Sequence, residues 1–258
     1  ALVEDHQLSG LIVGYTIGQT CLLAILISRI LLEFPIGKWF NSDCLKYFTK
    51  HPQLISIGLF YNAAIWIDKV IFWLYRGEEV HPGLLTCPFY ETPCFLAFVT
   101  IVPTLSIFLV RVETSFFMAY RNYYSKVVEK FPLKEVLAEK KIVMDSLKLS
   151  YYKLMLYQGV ITIVSIIIAP SIVVWFKMET FQLAILRITI LGAFVHAMLM
   201  VLMIIILYFD WKGLANQVNI LFFVSNGIFT YIGLNYDLSY QGYGYFLACL
   251  ITLGYASI

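Results

Sequence analysis

Long apolar stretches alternate with short polar ones along the whole chain. Crossing a hydrocarbon core of ~30 Å takes about 20 mostly apolar residues at 1.5 Å rise per residue. Seven stretches qualify: 8–32 (run A), 54–75 (B), 94–117 (C), 149–176 (D), 181–208 (E), 214–234 (F) and 243–258 (G, the shortest). They are too long for strands and lack the apolar/polar alternation of a membrane β-barrel. The pattern predicts an all-α, polytopic transmembrane helix bundle of about seven helices, one transmembrane domain over 1–258. Run G ends at Ile258 with no flanking charge, so the expectation is a fragment of a longer protein.

The polar segments orient the runs. Lys38, Lys46 and Lys50 lie between A and B. Arg121, Lys126, Lys130, Lys134, Lys140, Lys141 and Lys148 lie between C and D, and Lys212 between E and F. The opposite loops hold Arg76 and Lys177, so the count is 11 against 2. Lys and Arg accumulate on the cytoplasmic side, which puts the A–B, C–D and E–F segments inside. The segment 118–148 reads as a cytoplasmic basic helical arm, split at Pro132 because proline cannot continue a helix interior. Leu133, Val136, Leu137, Lys140 and Met144 share a helical spacing in its second piece. Lys134, Lys140 and Lys141 are its candidates for docking a partner or anionic membrane lipid, and a plain solvated linker is the alternative. The B–C loop, with Glu78, Glu79, Pro82, Pro88, Glu91 and Pro93, reads as an ordered outer cap.

Composition agrees with the membrane reading. The chain is 60% hydrophobic and 13% charged, against about 45–50% and about 25% in soluble domains. A net charge of +2, with no basic block interleaved with aromatics outside the membrane-edge segments, sets a nucleic-acid partner aside. The five cysteines show no zinc spacing, and whether Cys87 and Cys94 pair stays open. There is no phosphate-binding loop, HExxH, GxSxG or kinase signature. No catalytic residue, metal or cofactor is expected. Gly242-Tyr243-Gly244 lacks the preceding Thr-Val of a potassium filter.

Ionisable residues inside the runs are the candidate cavity and transport residues, because each costs at least ~2.5–3.5 kcal/mol at mid-membrane. They are Asp68, Lys69, Arg111, Glu113, Arg187 and His196. Counting along B and E places Asp68, Lys69 and Arg187 at one depth, about 9 Å from the outer edge. An Asp68–Arg187 pair and a shared water-filled cavity are both compatible with that. Arg111 reads as an interfacial anchor, with Glu113 two residues on facing elsewhere. His196 has no second His or Cys at i+3 or i+4 and reads as a hydrogen-bonded packing residue. Pro103 and Pro170 are expected to bend C and D. Tyr61, Trp66, Trp73 and other aromatics, at 17% of the chain, form interfacial belts. A few inside the bundle suit the apolar faces of sugar rings.

Three stretches in this order and spacing resemble the PelG family of Pel exopolysaccharide transporters: GLFYNAAIWIDKVIFW at 58–73, RVETSFFMAYRNYYSK at 111–126, and YFD at 208–210 with Asn226 and QGYGYFLA at 241–248. The resemblance implies a MATE/Wzx-like exporter of twelve helices, of which A to G are the sixth to twelfth. It implies export of a growing amino-sugar polymer across the cytoplasmic (inner) membrane; the expected path for the polymer or lipid-linked glycan is a cavity lined by B, C and E. It also implies partnership with a cytoplasmic glycosyltransferase and further Pel-type membrane subunits, and no enzymatic step. Two alternatives stand beside it. A seven-helix receptor matches the helix number, but Asp-Arg-Tyr after C and Asn-Pro-x-x-Tyr in G are missing. A membrane-embedded glycosyl or acyl transferase has only Glu113 and Asp210 as acidic candidates.

Overall fold

A computed structural model describes residues 2–34 and 43–257, in two compact units, Ala1–His51 and Pro52–Ile258. The first unit holds α1 (Leu2–Glu33) and α2 (Asp43–Lys50). From Val13 onward the side chains of α1 are exposed, and Val13–Glu33 is long and apolar enough to cross a membrane.

In the second unit the order is α3 (Pro52–Arg76), β1 (Glu78–His81), β2 (Leu84–Thr86), α4 (Pro88–Val99), α5 (Val102–Ile107), a π-helical turn (Phe108–Glu113), α6 (Thr114–Val128), α7 (Leu133–Trp175), α8 (Gln182–Tyr208), α9 (Lys212–Gly233), a 3₁₀ turn (Leu238–Tyr240) and α10 (Tyr243–Ala256). Among the described residues all seven apolar runs are therefore helical, and the protein is all-α apart from one small hairpin. That hairpin occupies the expected cap between B and C. Its strands pair antiparallel around Pro82-Gly83, where Gly83 takes φ +82°, a conformation that suits a residue without a Cβ.

The bundle is built around α8. A helix that is apolar all round belongs inside, and α8 has few polar positions. One face (Val195, Leu199, Met203, Ile206) joins a core with α9 and α10. Another (Leu186, Ile190, Ala193, Ala197, Met198) joins a core with α4 and α7. Ala184, Arg187 and Leu191, at helical spacing, form an exposed stripe along its first half, and Leu207 is exposed near its end. α10 lies close against α9: a Cβ placed on Gly244 would stand 2.7 Å from the Thr230 backbone nitrogen. Small residues at such crossings let helices approach in a membrane.

Among the described residues, the stretches long and apolar enough to cross a membrane are Val13–Glu33, Pro52–Arg76, Pro88–Val110, Leu133–Trp175 and Gln182–Tyr208. The protein is thus a multi-pass membrane protein, and five rather than seven of the runs meet that measure. α9 fails it because Asn216, Gln217, Asn219, Ser225 and Asn226 lower its hydropathy. Several of these polar groups are satisfied inside the bundle, with Asn226 Nδ2 donating to the Ala64 carbonyl (2.8 Å) and Ser56 Oγ donating to Asn216 Oδ1 (2.7 Å). α10 has only 14 residues, about 21 Å of helix.

The prolines of runs C and D act differently on helix continuity. The helix of run C breaks at Thr100–Ile101, just before Pro103, whereas α7 continues through Pro170 as one helix. At 43 residues, α7 spans about 64 Å, twice the ~30 Å core. Run D and the second piece of the arm are one helix. α6 folds back on it, burying Phe116, Val143 and Leu147 between them. Lys126 pairs with Glu139 (3.0 Å) across this hairpin, and that hydrogen bond holds its ammonium above the usual lysine range. The turn before Pro132 has Lys130 at φ +58°, with Phe131 N–H on the Lys126 carbonyl and Lys130 N–H on the Val127 carbonyl. This closure satisfies helix-end carbonyls. It recurs with Lys177 after α7 and Asp210 after α8.

Candidate functional site

α3 carries Asp68 and Lys69 in an otherwise apolar sequence, and both are buried. Adjacent residues do not share a helix face, but the Lys69 side chain folds back along α3. Its Nζ donates to the Ile65 carbonyl one turn earlier (2.9 Å) and reaches both Asp68 carboxylate oxygens (2.9 Å each). The Tyr90 hydroxyl of α4 donates to Asp68 Oδ2 (2.8 Å), and its ring stacks on Phe72 with centroids 3.9 Å apart. The Lys69 ammonium also faces the Phe98 ring at 5.3 Å, a favourable cation–π placement. All three Nζ hydrogens have acceptors, so the pair is neutral overall and hydrogen-bonded, the condition under which buried charges are tolerated.

Beside this pair a cavity of about 630 Å³ opens between α3, α4–α5 and α8, the helices of runs B, C and E. Its walls are aromatic: Tyr61, Trp66 and Trp73 from α3, Phe95 and Phe98 from α4. Lys69, Glu91 and His196 supply its charged and ionisable groups. His196, buried in α8, shares a hydrogen bond with the Tyr61 hydroxyl through Nε2 (3.2 Å). Its Nδ1 lies 3.9 Å from Cys249 Sγ. Glu91 accepts from the Trp73 indole N–H, from the Cys87 N–H (3.1 Å) and from Thr86 Oγ1 (3.2 Å). It ties the hairpin and the start of α4 to the cleft wall. Burial and the neighbouring Glu91 carboxylate push the Cys87 thiol up to about 11. Cys87 and Cys94 are both free.

The family model "Putative exopolysaccharide Exporter (EPS-E)", PelG, matches residues 1–258. The chain belongs to the PelG family. Neither curated proteins nor solved structures give a significant match. Membership gives this multi-pass PelG-family protein an exopolysaccharide transporter role.

Against that role, the intramembrane residues divide. Lys69 and His196 line the cleft, and Asp68 sits behind Lys69. Arg187 does not join them. It lies on the exposed stripe of α8, and Asp68 pairs with Lys69 and Tyr90 instead. The expected equal depth rests on order along each helix, which does not set the rotation of α8, and that rotation turns Arg187 away. The side chains of Arg111 and Glu113 lie outside the described residues. Lys134, Lys140 and Lys141 are exposed on α7. Among the described residues no group of three or more His, Cys, Asp or Glu converges as metal ligands would.

Tyr90 and Glu91 are the residues that reading the sequence missed. Pro88, Glu91 and Pro93 made their surroundings look like loop, yet Pro88 is the first residue of α4, where the missing proline N–H costs nothing.

Proposed function

We propose that the protein moves an exopolysaccharide across the cytoplasmic membrane along the cleft between α3, α4–α5 and α8. The observation that carries this is the cleft itself, about 630 Å³ with five aromatic rings and few polar groups. Sugar rings present apolar C–H faces and a hydroxyl rim. Aromatic walls stack on the faces, and Tyr61, Glu91 and His196 meet the rim. The Lys69 charge is already matched by Asp68, so the wall does not trap a charged group. A transport path must bind strongly enough to admit its cargo and weakly enough to release it. In this reading the cargo is a Pel-type amino-sugar polymer and the protein performs no covalent step itself.

The test is polymer secretion by cells whose sole exporter carries Trp66→Ala with Trp73→Ala. Each ring is worth ~0.5–1.5 kcal/mol, so losing both should cut secretion roughly fivefold to 150-fold at unchanged protein level. Normal secretion would remove the cleft from the path.

The α6/α7 hairpin is in this reading the cytoplasmic docking place for a glycosyltransferase and other Pel-type subunits. The continuity of α7 favours protein over lipid as its occupant, because an unbroken helix carries Leu133 and Leu137 roughly 15–25 Å beyond the run it continues. Reversing Lys134, Lys140 and Lys141 to Glu is expected to reduce export with protein level intact. A cysteine at Lys140 should resist an impermeant thiol reagent in intact cells while one at Glu79 reacts. The reverse labelling would invert the orientation.

A further inference from the structure

One wall of the cleft, Pro88–Val110, is a single apolar stretch whose helix is jointed twice. At the first joint the Thr100 and Ile101 N–H groups bond carbonyls three residues back, Ala97 and Phe98 (both 3.1 Å), as in a 3₁₀ turn. Pro103 has no N–H to offer the Val99 carbonyl. The second joint is the π-helical turn Phe108–Glu113, a widening found mostly at functional positions. Between them α5 is a six-residue piece. Ile101, Val102 and Leu105, on this piece and its joint, face the cleft.

A second observation comes from α7. The buried Gln158 side chain crosses to the first joint, its Nε2 donating to the Thr100 carbonyl (3.3 Å). Its Oε1 has no partner, and neither does the hydroxyl of Thr104, one turn along α5, nor that of Thr162, one turn along α7. All three residues are less than 5% exposed. Buried polar groups are ordinarily hydrogen-bonded, and unmatched ones are costly in a membrane. Here two hydroxyl donors and one amide acceptor stand unmatched around one broken backbone, and they are complementary. A second seat of α5 on α7, with a threonine hydroxyl on Gln158 Oε1, uses groups that this seat leaves idle.

We propose that Thr100–Ile101 is a hinge on which α5 and the π-helical turn swing relative to α4, with Gln158 as its latch, opening and closing the α5 end of the cleft. The purpose of the motion rests on the cleft being the polymer path; the motion itself does not. The experiment therefore uses no polymer. In the full-length exporter in lipid nanodiscs, with other cysteines replaced, spin labels at Leu59→Cys and Leu109→Cys report the distance across the α5 end. Labels at Leu74→Cys and Phe95→Cys report the α4 end. The α5-end pair is expected to show two resolved distance populations and the α4-end pair one. Pro103→Ala, which restores the missing N–H, should collapse the two into one, and Gln158→Leu should change their ratio. A single α5-end distance in all three proteins, or two populations that neither substitution changes, overturns the hinge. A stationary α5 with tryptophan-dependent secretion would leave the path intact and remove only the hinge; a moving α5 with tryptophan-independent secretion would do the opposite.

Discussion

Asp68→Asn is expected to deplete the folded protein, by about 3–5 kcal/mol of stability, because it strands the Lys69 ammonium in the bundle. Lys69→Met should do the same by stranding the Asp68 carboxylate. The double variant Asp68→Asn with Lys69→Met should recover most of the loss, since replacing a buried pair together is often near neutral. Tyr90→Phe removes one donor from a carboxylate that keeps its lysine, and about 1–3 kcal/mol is expected. Thermal unfolding of the purified exporter in detergent reads all four. Singles that melt like the wild type, or a double variant as damaged as the sum of the singles, would contradict the pairing. Secretion by the double variant then separates scaffold from transport. Wild-type export would make the pair a support for the cleft wall, and lost export at normal stability would make the Lys69 ammonium part of the path.

The second large effect is expected at Gly244. A Cβ there meets backbone atoms of Phe229 and Thr230 at 2.7–2.9 Å, and backbone cannot rotate away as a side-chain tip can. Gly244→Ala therefore has to push α10 off α9. Overpacking of this kind costs about 1–3 kcal/mol, against which the gain in helix propensity of about 1 kcal/mol is too small. Gly244→Val should be worse. Gly254 is the internal control: it lies on the same helix with nothing within 4 Å of its added Cβ. Gly254→Ala should leave the melting temperature unchanged or raise it. Equal shifts at the two glycines would show that helix propensity and not packing sets the outcome.

The contrast between Asp68 and Arg187 shows where reading the chain ends. Hydropathy and the 1.5 Å rise placed both at one level, because those quantities depend on order along a helix alone. Their partners depend on rotation about the axis and on which helices are neighbours. Arg187 falls on an exposed stripe of α8, and Asp68 is answered from its own helix and from Tyr90. The arm was legible as two helical pieces split at Pro132. That the second piece is continuous with run D was not, since nothing local distinguishes a polar helix that ends at the membrane from one that enters it.

By itself the sequence determined the solvent and the helices. Apolar runs of 20 or more residues can satisfy their backbone hydrogen bonds in lipid only as helices, and the three matching stretches pointed to the family. Tertiary structure alone decided how the helices meet. It brought Trp66, Trp73, Phe95 and Phe98 to one cleft, set Glu91 on the Trp73 indole, and buried the Asn226 amide against α3. The physical reason is that lipid tails are as apolar as the helix surfaces. Hydrophobicity drives the runs into the membrane without choosing partners among them, and that choice falls to close packing at residues such as Gly244 and to the few polar groups that must find one another.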